Sequence, residues 1–315
     1  MLKILALLIP LTLFAREPLL SNIKQLTSPE NGFEKAGEAY FSPDGKLISF
    51  QAVTHGGEGY QIFILELSTG NIHKVSGAFK SCTCSFFHPD GKRILFAASP
   101  EVNPPAGGKY RWDFTPYMNL YETNLAGSEL KQLTSGPAYH AECAYSPDGQ
   151  RIVYASNEEG SMNLYVMNRD GSALQKITDT DDCYNGGPFF SPDGKRIVFR
   201  ADREKKDLLQ IYLIDADGGN LKQLTDNKAV NWAPFWHPSG EYIAYTTSLH
   251  GHHRYEIYLL ELKSGKEFRI TDHAGFDGLP SFNAVGTKLL WTSKRGPDGT
   301  SQIFIADFTL PGDQP

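Results

Sequence analysis

Tyr40-Phe-Ser-Pro-Asp-Gly45 is the first of six related hexapeptides in a chain of 315 residues. The other five copies are Phe86–Gly91, Ala144–Gly149, Phe189–Gly194, Phe235–Gly240 and Ser281–Gly286. From one copy to the next, the fifth residues lie 46, 58, 45, 46 and 46 positions apart. A period in the mid-forties is typical of a β-propeller blade with four antiparallel strands. The single long interval coincides with an insertion between Ser99 and Pro116.

The hexapeptide indicates a tight turn between the first two strands of a blade. Pro43 fixes its own φ, Asp44 accepts hydrogen bonds from nearby backbone, and Gly45 supplies a left-handed conformation. An apolar strand follows at residues 47–50, and a third strand at residues 61–65. A second glycine turn then leads into a fourth strand, which completes the repeat. In two of the repeats this strand has the sequence Lys-Gln-Leu-Thr.

The last repeat ends near Phe308 without a fourth strand of its own. Ile23-Lys-Gln-Leu-Thr27 precedes the first repeat and matches the missing strand. We therefore expect this segment to complete the last blade, which closes the ring and leaves no unpaired edge there. The prediction is an all-β fold: one six-bladed propeller domain over residues 16–315, with strands from about 23 to 308.

Composition excludes several classes of protein. The formal net charge of −6 disfavours a nucleic-acid binder that neutralises phosphates, and no apolar stretch reaches the roughly 20 residues of a membrane-spanning helix. Met1-Leu-Lys3 and the apolar run Ile4–Ala15 together resemble a secretory signal peptide over residues 1–15. We expect a periplasmic or secreted protein with no transmembrane anchor after cleavage. The alternative is a buried N-terminal strand or helix.

The Ser-Pro-Asp-Gly-Lys-Arg-Ile phrase with its Leu-Tyr and Gln-Leu-Thr strands resembles the repeats of TolB-type propellers over residues 23–308. The resemblance implies a scaffold and says little about activity. TolB of the Tol–Pal system carries a further α/β domain before its propeller, and we expect none here, so binding of the Pal lipoprotein does not follow. Related propellers also accompany hydrolase domains in prolyl-peptidase-like enzymes, and we expect no such domain either.

Function is expected at the end of the propeller opposite the short repeated turns, because long irregular loops gather there. Eight residues before the fifth hexapeptide position stand Ala36, Cys82, His140, Asn185, Asn231 and Asp277. Six residues before it stand Glu38, Cys84, Glu142, Gly187, Ala233 and Leu279. We predict a polar binding site at the channel mouth from His140, Asp277, Asn185, Asn231, Glu38, Glu142 and Cys82. The alternative is a channel lined by solvated polar groups.

The same residues are candidates for catalysis and for metal binding. An enzyme would use His140 as general base with Asp277 or Glu142 as its partner. Several of these side chains are possible metal ligands, and oligogalacturonate lyases use a His-rich metal site on related repeats. Here one ring position is histidine, and His250-Gly-His-His253 is interpreted as exposed loop histidines. We expect no metal, no cofactor and no local catalytic motif.

The insertion contributes three candidate contact residues, Tyr110, Trp112 and Phe114. Aromatic side chains on a loop often contact a ligand or partner. The alternative is a loop that folds back over a blade and buries these rings.

Four cysteines in an exported chain allow disulfides. Cys84 and Cys143 face each other across the interface of blades 2 and 3 if even offsets from the turn point to the next blade, and otherwise point apart. Cys183 is expected to be unpaired. Together the sequence predicts a monomeric, exported module that binds a protein, peptide or glycan in the cell envelope and no nucleic acid. The alternative is a lyase or hydrolase acting on a polysaccharide or peptide.

Overall fold

A computed structural model describes residues 17–102 and 114–313. Six four-stranded antiparallel sheets form the blades of a propeller, as predicted. The predicted signal peptide at residues 1–15 lies outside the described residues. Within the described part of the chain, no helix combines the length and hydropathy that crossing a bilayer requires.

The first three blades follow the chain from the inside of the ring to the outside. Blade 1 contains β2 (Phe33–Phe41), β3 (Leu47–Thr54), β4 (Gln61–Glu66) and β5 (Ile72–Lys74). Blade 2 contains β6 (Ser81–Phe87), β7 (Arg93–Ser99), β8 (Asn119–Asn124) and β9 (Lys131–Gln132). Blade 3 contains β10 (His140–Tyr145), β11 (Arg151–Ser156), β12 (Asn163–Asn168) and β13 (Gln175–Lys176).

The last blade takes its outer strand from the start of the chain. Blade 4 contains β14 (Asn185–Phe190), β15 (Arg196–Ala201), β16 (Gln210–Asp215) and β17 (Lys222–Gln223). Blade 5 contains β18 (Asn231–Trp236), β19 (Tyr242–Thr247), β20 (Glu256–Glu261) and β21 (Glu267–Arg269). Blade 6 contains β22 (Asp277–Phe282), β23 (Lys288–Ser293), β24 (Gln302–Phe308) and β1 (Leu20–Gln25).

The hexapeptide forms the turn between the first two strands of a blade. In blade 1, the Ser42 hydroxyl donates to Asp44 Oδ1 at 2.7 Å, and the same carboxylate oxygen accepts the Lys46 N–H at 3.1 Å. Gly45 has a φ of 70°, a conformation that costs a residue with a Cβ more than it costs glycine. The turn is therefore held by the side chains that the phrase repeats.

A hydroxyl residue that follows each fourth strand, threonine in five blades and Ser76 in blade 1, ties that strand to the third. Thr225 donates to Gln210 Oε1 at 2.8 Å, and its hydroxyl accepts the Ile211 N–H at 2.9 Å. In blade 6, Thr27 accepts the Ile303 N–H at the same distance. The N-terminal segment thus makes in the last blade the bond that a fourth strand makes elsewhere.

Ring closure is confirmed in detail. In the antiparallel pairing of β1 with β24, Leu20 lies opposite Phe308 and Gln25 opposite Phe304. The strand begins three residues before the predicted Ile23, and the Leu26 N–H continues the ladder to the Ile303 carbonyl at 2.8 Å.

The core lies between neighbouring blades. Each second strand buries one large aromatic ring at the same repeat position, 0–2% exposed: Phe50, Phe96, Tyr154, Phe199, Tyr245 and Trp291. Burial of such a side chain contributes about 2 kcal/mol. These rings hold the blades in place around the channel, where the innermost strands lie.

Candidate functional site

A β-bulge in the innermost strand of every blade turns one residue into the channel. The strand register shifts at this point in all six blades. The six bulge residues all have a φ between 49° and 59° and all line one cavity: Glu38, Cys84, Glu142, Gly187, Ala233 and Leu279. They are the residues six before the fifth hexapeptide position. Because five of them are not glycine, the surrounding structure must stabilise an otherwise unfavourable conformation.

Part of that stabilisation comes from the preceding blade. The Glu38 N–H donates to Thr292 Oγ1 at 3.0 Å, and the Leu279 N–H donates to Thr246 Oγ1 at the same distance. Gly187 uses a carboxylate instead, because its N–H donates to Glu142 Oε2 at 2.5 Å. Side chains around the channel therefore fix the bulges across the blade interfaces.

Four aromatic rings close the channel on the side of the hexapeptide turns: Tyr40, Phe86, Phe189 and Phe235, called here the aromatic floor. They come from blades 1, 2, 4 and 5, and five ring pairs among them have centroids 4.9–5.8 Å apart. Tyr40 and Phe189 belong to opposite blades, so their contact crosses the channel axis. The channel is therefore closed at this level.

A cavity of about 170 Å³ lies on the loop-rich side of the aromatic floor. The six bulge residues form its rim, and Gln51, Thr83, Tyr139, Arg200 and Trp232 add to its walls. Drug-sized ligands usually occupy pockets of about 300–1,000 Å³, so this cavity fits one side-chain-sized group.

Glu142, Arg200 and Tyr184 form a buried network on one wall. Glu142 Oε1 accepts from the Arg200 guanidinium at 2.9 Å and from the Tyr184 hydroxyl at 2.5 Å. Arg200 also donates to the Tyr184 oxygen at 2.7 Å. Burial alone would lower the pKa of Arg200, but the Glu142 carboxylate, Tyr184 and Cys84 together raise that pKa. The Glu142–Arg200 pair is thus a charge-compensated part of the wall.

Glu38 is the second carboxylate of the cavity, and its surroundings differ. The Tyr40 hydroxyl donates to Glu38 Oε1 at 3.2 Å. Burial raises the pKa of Glu38, although a hydrogen bond from the Cys84 thiol opposes the shift. Burial also raises the pKa of Cys84 well above its ordinary value, so this thiol is not an activated nucleophile.

The candidate asparagines lie between blades rather than on the cavity. Asn185 is fully buried, donates to the Met162 carbonyl at 2.9 Å and accepts from the Arg203 guanidinium at the same distance. Asn231 is fully buried as well and donates to Gln210 Oε1 at 2.8 Å. These contacts join neighbouring blades, and a role of either residue in ligand binding stays a prediction.

The other three candidates at that repeat position are also buried. Asp277 accepts from the Trp291 indole at 3.0 Å and from the Arg295 guanidinium at 2.7 Å. His140 is 2% exposed, and burial lowers its pKa. Burial raises the pKa of Cys82 to about 12. None of the three lines the cavity that the bulge residues surround, so their predicted binding roles stay untested.

The end of the insertion approaches the cavity wall. Phe114 lies 5.1 Å from Tyr139 and 6.3 Å from Tyr184 between ring centroids, nearly parallel to the latter. Tyr110 and Trp112 fall outside the described residues. Phe114 packs against the hydrophobic core, and the predicted contact role of these three residues stays a prediction.

The described residues contain no group of three or more potential metal ligands. In the histidine-rich loop, His250 bonds the Tyr258 hydroxyl at 2.8 Å and His252 bonds the Tyr255 hydroxyl at 3.1 Å. All four cysteines are free thiols, and Cys143 donates its S–H to the Cys84 carbonyl at 3.3 Å. Of the two alternatives for Cys84 and Cys143, the structure therefore has the unbonded one.

Arg200, Tyr184 and the aromatic floor were not among the sequence candidates. The floor residues stand at the first hexapeptide position, which is aromatic in four of six copies. Arg200 stands out only when the second strands are aligned, because the other blades carry Gln, Ala or Thr there. The aromatic first hexapeptide position and the single arginine are both visible when the six repeats are aligned.

No protein-family model matches the chain. The uncharacterised protein Atu1656 of Agrobacterium fabrum is 26% identical over 190 residues, which are 59% of each chain. The Tol-Pal system protein TolB of Francisella tularensis is 29% identical over 126 residues, 40% of this chain and 26% of TolB. The matches therefore span less than two thirds of these curated relatives.

Solved structures share the fold over more of the chain. A putative TolB from Agrobacterium tumefaciens has a TM-score of 0.63 at 22% identity, covering 89% of this chain and 92% of that one. An oligogalacturonate lyase from Vibrio parahaemolyticus has a TM-score of 0.59 at 16% identity, covering 93% and 94%. The repeat phrase, the six closed blades and these similarities together show that the chain is a TolB-like β-propeller.

Proposed function

We propose that this protein is a binding or scaffold module that recognises a protein, peptide or glycan through its loop-rich face and channel mouth. We further propose that it is exported and acts as a monomer in the cell envelope, without a transmembrane anchor or cofactor. The observation that carries the proposal is the cavity above the aromatic floor, which combines charged side chains with aromatic rings, is closed on one side and is sized for one side chain. The TolB-like fold supports this class of function.

The alternative of a lyase or hydrolase is not favoured. Its candidate base, His140, is buried away from the cavity, and Asp277 is occupied by Trp291 and Arg295. Glu142 is held by three donors, two of which belong to Arg200 and Tyr184. A general base must reach the proton that it abstracts. His140 lies outside the cavity, and its proposed partners Asp277 and Glu142 are engaged by other side chains.

Capture from envelope extract with two matched triple variants tests the proposal. The first reverses exposed charges on the loop-rich face: Glu58→Lys, Lys205→Glu and Lys294→Glu. The second reverses exposed charges beside the hexapeptide turns: Lys46→Glu, Lys92→Glu and Lys195→Glu. We expect the first variant to lose a partner that the wild type and the second variant retain. Equal capture by both variants would contradict the proposal, and turnover of a glycan or peptide panel would favour the enzymatic alternative.

A further inference from the structure

Among the described residues that line the cavity, Glu38 is the carboxylate without an ion-pair partner. Glu142 is compensated by Arg200, as described above. Within residues 17–102 and 114–313, no lysine or arginine forms an ion pair with Glu38. Its carboxylate receives the Tyr40 hydroxyl and the Cys84 thiol, both of which are neutral donors. A buried carboxylate without a counter-ion is costly, so a cation that enters the cavity gains from pairing with it.

Aromatic rings line the same cavity. Tyr40 and Phe189 form part of its floor, and Tyr139 and Trp232 stand in its walls. A cation near the face of such a ring is attracted by the ring quadrupole, and the attraction grows when water is excluded. An anionic group would instead meet Glu38 and gain nothing from these rings, and the Arg200 guanidinium in the wall is already paired with Glu142. The combination of one carboxylate with several aromatic rings therefore selects a positive charge.

The geometry also distinguishes between cations. The Tyr40 hydroxyl takes one acceptor site of Glu38 Oε1, which leaves fewer sites for the two parallel hydrogen bonds of a planar guanidinium. A compact ammonium needs one good acceptor and carries its charge at a point. The cavity volume of about 170 Å³ suits the end of an alkyl chain rather than a whole ligand.

We propose that the channel cavity binds an alkylammonium group, with Glu38 as its counter-ion and the surrounding aromatic rings as its cage. This inference rests on the proposed function and deepens it, because it names the chemistry that the channel mouth recognises. The ammonium group enters from the loop-rich face, since Tyr40 and Phe189 meet across the axis on the other side. It belongs either to a lysine side chain of a peptide or to a free amine.

Calorimetric titration of the purified protein with defined probes tests the inference. The probes are 1,5-diaminopentane, the blocked peptide Gly-Gly-Lys-Gly-Gly and its norleucine analogue, which has the same chain length without the charge. We expect at least one amine probe to bind ten-fold or more tightly than the norleucine peptide. Binding of the diamine alone assigns the site to a free amine, and binding of the lysine peptide alone assigns it to a peptide. Equal affinity for the lysine and norleucine peptides, with no binding of the diamine, would overturn the inference.

The variant arm uses Glu38→Gln, which keeps the shape of the side chain and removes its charge. We expect this variant to lose the ten-fold preference, whereas the exposed Glu58→Gln control keeps it. A Glu38→Gln protein with wild-type affinity would refute the role of Glu38. In wild type, acid should release the amine at a pH above the about 4.3 of an ordinary glutamate, because burial raises the pKa of Glu38. This pH titration needs no variant and stays informative if Glu38→Gln fails to fold.

The two proposals fail in different ways. If partner capture depends on the loop-rich face but no amine probe binds, the ammonium inference alone is wrong. If amines bind through Glu38 but the loop-face variant captures everything that wild type captures, the proposed use of that face is wrong.

Discussion

Tyr40 of blade 1 and Phe189 of blade 4 lie on opposite sides of the propeller, and their ring centroids are 5.7 Å apart. The contact converts a channel into a cavity with one entrance. It also joins strands that are distant in sequence at the centre of the ring. The aromatic floor therefore contributes both to stability and to the shape of the candidate site.

Removing one ring of the floor should destabilise the fold. Phe189→Ala deletes contacts to two or more neighbouring rings, and we expect the free energy of unfolding to fall by about 2–3 kcal/mol, because a large-to-small change leaves a void. Phe189→Leu should cost less. Urea denaturation measures the change, with the exposed Val285→Ala as control. A loss no larger than that of the control would show that the floor is dispensable.

Ring closure depends on a charge network between the two ends of the chain. Arg295 donates to Glu17 Oε1 at 2.8 Å and to the fully buried Asp277 at 2.7 Å. Arg295→Met leaves the Asp277 charge buried without its cation, and we expect a loss of about 3 kcal/mol. The double variant Asp277→Asn, Arg295→Met should recover part of it, since no buried charge remains. A double variant less stable than Arg295→Met would contradict this account, and Lys294→Met is the exposed control.

The same network predicts acid sensitivity. Burial alone would raise the pKa of Glu17, but hydrogen bonds from Arg295 and from the Asp272 N–H outweigh it, so the pKa is lowered. A lowered carboxylate pKa stabilises the fold above the unfolded value of about 4.3, and this stability is lost as the pH falls through the folded value. Glu17→Gln should flatten the pH dependence of Tm below about pH 4.5. An unchanged slope would show that the pairing contributes nothing.

His237 should lower the stability of the fold in mildly acidic solution. Burial lowers its pKa, although its contact with the Gly286 carbonyl opposes the shift and so does the Glu241 charge. Its Nδ1 lies 3.2 Å from the Ser239 N–H, which donates to it. Below the unfolded pKa of about 6.5 the unfolded chain binds a proton that the folded histidine resists, so stability falls with falling pH. Above that pH the contribution is complete.

A serine at this position provides the test, because other copies of the hexapeptide carry serine there, as at Ser191. We expect His237→Ser to reduce the slope of Tm between pH 6.5 and 5, whatever its effect on Tm itself. The exposed His253→Ser checks for unspecific effects of losing a histidine. A slope that is unchanged by His237→Ser would reject the assignment.

Thiol titration distinguishes the two alternatives for the cysteines. Burial raises the pKa of Cys82, Cys84 and Cys143, whereas Cys183 is half-buried. We expect one fast-reacting thiol at pH 8 in the folded protein, none in Cys183→Ser, and four after denaturation without reductant. Two thiols after denaturation would show a disulfide instead.

The repeat predicts most of the fold, because each blade repeats the turn between its first two strands and the hydrogen bond from its third strand to a threonine or serine hydroxyl. The repeat does not predict the position of the β-bulge in the first strand. In a regular strand, residues two apart share a face, so the sequence places Asn231 and Ala233 together. The register shift between Trp232 and Phe235 separates them: Ala233 faces the channel, and Asn231 stays between blades. Two of the sequence candidates, Glu38 and Glu142, line the cavity, because they are themselves bulge residues.

The pairing of β1 with β24 also has a consequence for biosynthesis. Asn22 donates to Asp307 across 285 positions of the chain. An N-terminal strand must therefore wait, unpaired, until nearly the whole polypeptide has emerged from the ribosome. Contacts of such long sequence separation slow folding, and they expose an edge that can pair with other chains in the meantime. The nascent protein is thus expected to depend on a holding chaperone more than its compact final form suggests.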